Sequence, residues 1–318
     1  MNSSAAPAWS KIARFWESAG MLLVLAVLFL GCSLGVDNFL TPANLRGLAL
    51  AVSTIGMVAC TMMLCLAAGD FDLSVGSIVA FAGVLGAHVM NATGSVAAGC
   101  ATALACGALV GLVNGVFVAR LGINALITTL ASMQIVRGLG FIVSDGRAIG
   151  IRTDGFFALG NTAWLGVPVP VLLTAGCFVF FGVLLNRTIF GRNALAIGGN
   201  REAAYLAGVP VVRVKIVIFT LQGLVAAGAG LVLAARMTSG QPNTSQGLEL
   251  EVISACVLGG VSLSGGVARI GAVIAGVLIM GLVQNAMNLL NIPPFYQYVA
   301  RGCILLAAVL LDRLKQRN

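Results

Sequence analysis

One histidine, ten carboxylates and a scatter of amides and hydroxyls are what this chain of 318 residues has for chemistry. His88 lies near the outer end of the third apolar run, and the sequence places no carboxylate or cysteine to pair with it, so it reads as an interfacial histidine and not a base. The chain contains no P-loop, no Gly-x-Ser-x-Gly elbow and no His-Glu-x-x-His helix, which excludes nucleotide hydrolysis on this chain and membrane-protease chemistry. Ion-coupled chemistry in a membrane needs titratable groups inside it. Most acids fall elsewhere: Asp37, Asp145, Asp154, Glu249 and Glu251 at outer ends or loops, Glu17, Glu202 and Asp312 at inner ones. Asp70 and Asp72 are the exceptions, in AAGDFDLS between two apolar runs. There Asp72 and Ser74 either cap the next helix or serve a structural or gating role.

Uncharged polar groups within apolar runs form a second set. Asn114, Asn124, Thr128, Ser132, Gln284 and Asn288 either bond helix to helix or line a wet path for a polyol, because a buried amide or hydroxyl costs free energy unless paired. Asn124, Thr128 and Ser132 share a helix face by four-residue spacing, as do Gln284 and Asn288. Arg137, also within a run, must face a cavity or the protein interior. All eight cysteines lie in apolar runs without metal-type C-x-x-C spacing and read as small apolar residues, so no metal site is expected.

The elements that hold these groups are set by composition. With 59% hydrophobic and 9% charged residues and a mean hydropathy of +1.03, lipid is the solvent for most of the chain. Apolar segments near 19–36, 46–68, 74–91, 94–118, 122–143, 165–186, 214–236, 250–263, 267–290 and 296–311 predict an all-α polytopic bundle of about ten transmembrane helices, with 250–263 the shortest. The first run is long enough to be an anchor and no signal-cleavage pattern follows it. Residues 1–18 form a polar lead in which Trp9, Trp16, Lys11 and Arg14 suit an interfacial anchor or a disordered tail. The membrane domain covers 19–312, with a polar loop at 187–213 and a tail at 313–318. The net charge of +8 is not clustered on a soluble face, which argues against nucleic acid. Its distribution leaves only Arg46, Arg147, Arg152, Arg236 and Arg301 at or near outer ends, placing both termini in the cytoplasm.

Three features modulate this frame. The loops Ser144 to Ala163 and Thr238 to Gly247 are candidate docking edges on the outer face. GDFDLSVG at 69–76 and GGVSLSGG at 259–266 form a weak internal repeat, parallel if all ten segments span and inverted if one short segment is re-entrant. Gly107, Gly111 and Gly115, like Ala226, Gly230 and Ala234, recur every four residues and permit close helix packing.

Between Asn186 and Lys215 the oily chain surfaces into a polar foot. Gly198, Gly199 and Asn200 read as a flexible turn ending in an N-cap, Arg201 to Ala207 as about two helical turns, and Gly208 with Pro210 as their stop. Within it Glu202-Ala203-Ala204, then Gly208, then Ile218 resemble the EAA-x3-G-x9-I loop of ATP-binding-cassette importer permeases, although the Leu-Pro pair that often follows is absent. Together with GDFDLSVG, INALITTLASMQIVRG, FGRNALAIGGN and LGGVSLSGG, the chain resembles end to end the sugar-permease branch typified by ribose and arabinose importers.

That resemblance implies a permease of the bacterial inner membrane that dimerises with itself and forms an alternating-access pathway for a monosaccharide. It implies a periplasmic sugar-binding protein and a separate ATPase subunit carrying ATP and Mg, with no cofactor on this chain. Gly198, Gly199, Asn200, Arg201, Glu202, Ala203, Ala204 and Gly208 would then couple the foot to the ATPase. ARMTSGQPNTS, ISACVLGGVSL and NAMNLLNIPPFYQYVARG point to L-arabinose as the sugar. Ribose, xylose and galactose are the alternatives within the family, and spacing and composition separate none of them. A proton-coupled carrier needing no ATPase is the alternative outside it.

Overall fold

The computed structural model describes the backbone of residues 8–316 and the side chains of residues 20–310 except Asp154. The chain is mostly helical. Helix α1 (Ala8–Gly35) runs without a break through the expected boundary at residue 18, so from Ala8 onward the polar lead and the first apolar run are one element. The interfacial role expected of Trp9, Lys11, Arg14 and Trp16 lies outside the described side chains.

Helix α2 (Pro42–Ala67) opens on a Thr41 cap whose hydroxyl accepts from the Asn44 amide, with proline at the first helical position, where its missing N–H costs nothing. It is buried from Val52 to Ala67, and α3 (Val75–Thr93) follows it after a short loop. Helices α4 (Val96–Ala119) and α5 (Ala125–Ser144) complete the first half. After α5, a short strand β1 (Ile149–Gly150), a single 3-10 turn, α6 (Ala158–Asn161) and a hairpin of β2 (Ala163–Trp164) with β3 (Val167–Pro168) lead into α7 (Val169–Arg187). The foot follows as α8 (Ile189–Gly199) and α9 (Arg201–Leu206), then α10 (Val211–Met237), β4 (Ser239–Gly240), α11 (Leu248–Leu258), α12 (Ile270–Leu289) and α13 (Pro294–Gln316).

The four-residue glycine stripe is the seam between α4 and α10. Gly107 and Gly111 lie against the backbone carbonyls of Gly223 and Phe219, and Gly115 against Ile216, so side chains there would hold the two helices apart. Gly230 plays the same part for α10 against Val79 of α3. The two loops expected on the outer face are not separate edges. They are tied to each other by antiparallel pairing of β1 with β4, Ile149 opposite Gly240, and by the Ile151 amide donating to the Thr238 carbonyl at 3.0 Å.

Among the described residues seven helices are long and apolar enough to cross a membrane: α2, α3, α4, α5, α7, α10 and α12. The 250–263 segment is not a full span. Its helix, α11, has 11 residues, about 16 Å at 1.5 Å per residue, roughly half of a 30 Å hydrocarbon core. The remaining distance is covered by the non-helical stretch before it. Gly240 packs on the backbone of Gly83, and Ser245 and Glu249 reach Gly76 in the first turn of α3. Irregular backbone at such depth must be sheltered by protein and have its polar groups satisfied. Arg137 does this, donating to the carbonyls of Pro242 at 2.9 Å and Thr244 at 2.7 Å.

The sequence left the internal repeat parallel or, with one short segment re-entrant, inverted; the fold makes it parallel. The Cys256 thiol donates to the Ala59 carbonyl, and the Gly266 amide donates to the Ala67 carbonyl at 2.9 Å, so α11 ends beside the end of α2. Both repeat loops therefore sit at one end of the bundle, and α2–α3 and α11–α12 run in the same directions. The relation is parallel because a run of turns, and not a second half-helix, completes the crossing.

Candidate functional site

Three glycine-rich segments meet at that end. Gly198, in the last turn of α8, packs against the Ala67 carbonyl at the end of α2 and against Gly265 and Gly266 of the second repeat loop; Gly69 of the first repeat loop lies beside it. An added Cβ at Gly198 would overlap the Ala67 oxygen and stand 2.5 Å from the Gly266 nitrogen. Glycine is required there by close approach. The expected flexible turn is thus corrected: Gly198 and Gly199 are the last helical residues of α8, and the chain turns only at Asn200.

Asn200 does cap α9, its side-chain oxygen accepting from the Ala203 amide at 2.9 Å, and Gly208 ends the segment with φ +82°, a conformation L side chains rarely adopt. Glu202 in the first turn suits the positive end of the helix. Ala204 is buried against the bundle, while Arg201, Glu202 and Ala203 are exposed, as are Tyr205 at 71% and Leu206 at 79%. A two-turn helix thus presents two large apolar side chains beside charged ones on a polar foot.

Behind α9 lies a buried ion pair. The Lys215 ammonium, in the second turn of α10, stands 2.9 and 3.1 Å from the two oxygens of Asp70 in the first repeat loop. Burial pushes the Asp70 carboxyl above its ordinary range, and Lys215 and then Arg201 of α9 act against that push. Asp72 is wholly buried; desolvation raises its pKa to about 6 against the opposing hydrogen bonds from Ser74. Its oxygen accepts from the Ser74 amide at 2.9 Å and from the Ser74 hydroxyl at 2.5 Å. Ser74 stands at the N-cap position of α3 without making a side-chain cap, because its hydroxyl is committed to Asp72 and to Asn114, whose amide donates to it at 3.0 Å. Ser132 of α5 in turn donates to Asn114. Asp72, Ser74, Asn114 and Ser132 form one relay that ties the loop to α4 and α5.

The other polar residues singled out from the sequence lie apart. Asn124 caps α5, accepting from the Leu126 amide at 2.9 Å. Thr128 is buried, and its hydroxyl has no hydrogen-bond partner among the described residues. Asn288 accepts from Gln297 of α13 at 2.9 Å. Gln284, with its amide nitrogen toward α11, donates to Glu251 at 2.7 Å and accepts from Arg301 at 3.1 Å. Glu251 and Arg301 stand 3.7 Å apart, and Arg301 also lies over the Tyr298 ring. The six candidate lining residues therefore occupy five separate places, and Asn114 and Ser132 are the pair brought together.

Sequence reasoning missed three members of these networks. Lys215 read as a topology-setting inner lysine, and Glu251 and Arg301 as outer-end charges; all three are partners in buried or half-buried pairs. The signal available for Lys215 was its position in the second turn of an apolar helix, where a lone ammonium requires a counter-ion.

The model of the family described as the permease component of branched-chain amino acid transport systems matches residues 44–309, which spans every element of this site. The chain belongs to that family. Permeases of known assignment are similar over nearly its whole length. The L-arabinose transport system permease protein AraH of Escherichia coli K12 is 62% identical over 304 residues, 96% of this chain and 93% of that protein. The L-arabinose ABC transporter permease protein AraH of Azospirillum brasilense is 56% identical over 98% of this chain and 90% of its own length. The ribose import permease protein RbsC of Bacillus subtilis is more distant, at 41% identity over 94% of each chain. No solved structure matches. As a permease the chain is a transport component and not an enzyme. The site lies at one end of the bundle, between the foot and the two repeat loops.

Proposed function

We propose that this chain is the membrane subunit of an ATP-driven importer of L-arabinose, forming the alternating-access pathway and hydrolysing nothing itself. The observation that carries the reading is the 62% identity, over 96% of the chain, to a protein named as an L-arabinose permease. Relatives named for ribose fall at 41% identity and below. In this reading a separate ATPase subunit, holding ATP and Mg, docks on α9, and a periplasmic sugar-binding protein delivers the sugar at the opposite end. Two copies of the chain assemble in the bacterial inner membrane, with both termini and the foot in the cytoplasm. Gly198, Gly199, Asn200, Arg201, Glu202, Ala203, Ala204 and Gly208 form the coupling segment. The exposure of Tyr205 and Leu206 supports this, since apolar side chains on a polar foot mark a surface that a partner covers.

The test is uptake in proteoliposomes containing the permease with its ATPase and binding protein. ATP-dependent accumulation of L-arabinose, lost at least tenfold on Glu202→Ala or Gly208→Val, is the expected result. Preferential uptake of ribose, xylose or galactose would reassign the sugar. Uptake driven by a pH gradient in vesicles holding this chain alone would replace the importer with a proton-coupled carrier.

A further inference from the structure

The foot meets the end of α2 and the second repeat loop through backbone packed on backbone at its glycines. Gly198 of α8 rests on Ala67, the residue after which that loop begins, and Ala67 also accepts the hydrogen bond from Gly266 of the second repeat loop. These contacts transmit compression, because backbone pressed on backbone has no slack. The packing of Gly198 on Ala67 does not transmit a pull. Among the described residues, two ties from the loop to other helices do. One is the relay from Asp72 through Ser74 to Asn114 and Ser132, which joins the loop to α4 and α5. The other is the Asp70–Lys215 pair, which joins it to α10, the helix that leads directly out of the foot through Val209 and Pro210.

We propose that Asp70 and Lys215 are positioning residues for energy coupling: the pair couples the first repeat loop to α10, so that movement of the foot is carried in both directions into α3 and the second repeat loop. The geometry fits a tie. The ammonium reaches both carboxylate oxygens, the pair is buried, and it spans 145 positions of sequence between two elements that otherwise meet the foot separately. Arg201, an exposed residue of α9 itself, also acts electrostatically on Asp70, opposing the effect of burial. From the loop the connection continues into α3, whose first turn meets Ser245 and Glu249 at Gly76, next to the carbonyls held by Arg137.

This inference rests on the reading of α9 as the docking helix of an ATPase. It is tested in the reconstituted complex by the ratio of ATP hydrolysis with sugar-loaded binding protein to hydrolysis without it, together with the melting midpoint of the purified complex. The apolar double variant Asp70→Leu/Lys215→Met removes the tie while replacing a buried charge pair with groups of similar bulk, which is often neutral for stability. The expected result is a midpoint near wild type with the stimulation ratio reduced at least fivefold. A double variant that regains both stability and full stimulation shows a merely structural pair and overturns the inference. Asp70→Asn gives a second reading if the double variant fails to assemble: the ratio falls at least threefold at comparable assembly, and an unaltered ratio overturns it. Absence of stimulation in the wild-type complex overturns the importer reading and this inference with it.

Discussion

Replacing Gly198 by alanine tests the junction at its tightest point. In an ordinary helix the change stabilises, by about 0.5–1 kcal/mol, because alanine loses less backbone freedom on folding. Here the new Cβ would overlap the Ala67 carbonyl oxygen and stand 2.5 Å from the Gly266 nitrogen, where ordinary contact begins at 3.4 Å, so the segments must separate by about 0.9 Å or more. Overpacking of that kind costs about 1–3 kcal/mol, and stretching the 2.9 Å bond from Gly266 to Ala67 costs about another 1 kcal/mol. The net is a destabilisation of about 1–3 kcal/mol, a melting midpoint lower by roughly 3–8 °C. Gly138→Ala in α5 is the control, since nothing lies within 4 Å of a Cβ added there, and its expected effect has the opposite sign. Dye-based melting of the detergent-solubilised permease, run beside sugar-stimulated ATP hydrolysis in the complex, reads both consequences. Gly198→Ala with wild-type stability and full stimulation would refute the claim that foot and repeat loops are pressed together.

Two further outcomes follow from the buried charges. Asp72 titrates near 6 in the fold against 3.8 as a free carboxyl, so the folded state binds its proton more tightly and stability falls as pH rises from about 4 to 6, then stays level; the full effect is up to about 3 kcal/mol. The wild type should therefore lose more stability than Asp72→Asn when melting midpoints at pH 4.5 and 7.5 are compared, and parallel profiles would contradict the assigned burial. Glu251→Ala leaves Arg301 without its carboxylate; the 3.7 Å separation and the 23% exposure of the Arg301 side chain place the loss at the low end for buried pairs, about 3 kcal/mol. The double variant Glu251→Leu/Arg301→Met should melt higher than Glu251→Ala, and a lower midpoint would show that the charges themselves hold α11 to α13.

Seven of the ten expected spans match helices long and apolar enough to cross a membrane, because hydrocarbon imposes a length and a composition on any helix that crosses it, and the α9 cap was legible because asparagine before a short helical run has one common use. What was not legible shares a cause. Gly198-Gly199 read as a turn, hiding the end of α8, because glycine serves loose backbone and tightly pressed backbone alike, and only the neighbours distinguish them. The 250–263 run read as a span because α11 and the start of the following loop are apolar together, while the run of turns before it looks like any polar loop until Arg137, more than 100 positions earlier, is seen holding its carbonyls. Asp70 and Lys215 each carry a plausible local reading, a loop acid and a topology-setting lysine, and nothing in either neighbourhood points 145 positions away.

The half-length α11 and the junction at the foot are parts of one mechanical arrangement. A helix that ends halfway needs its preceding backbone sheltered, and the shelter is supplied by α3 and by Arg137 of α5. The same α3 begins directly after the loop that Gly198, Gly266 and Lys215 hold. At Gly76 no side chain separates α3 from the Ser245 carbonyl and the Glu249 carboxylate, so rotation or translation of its first turn toward α11 meets backbone at once. Close-packed elements of this kind exchange one arrangement for another instead of deforming gradually. The end of the bundle proposed to receive the push and the stretch where the chain continues without a helix are therefore joined through a single rigid element, and a parallel repeat is what brings both loops to the end where that element starts.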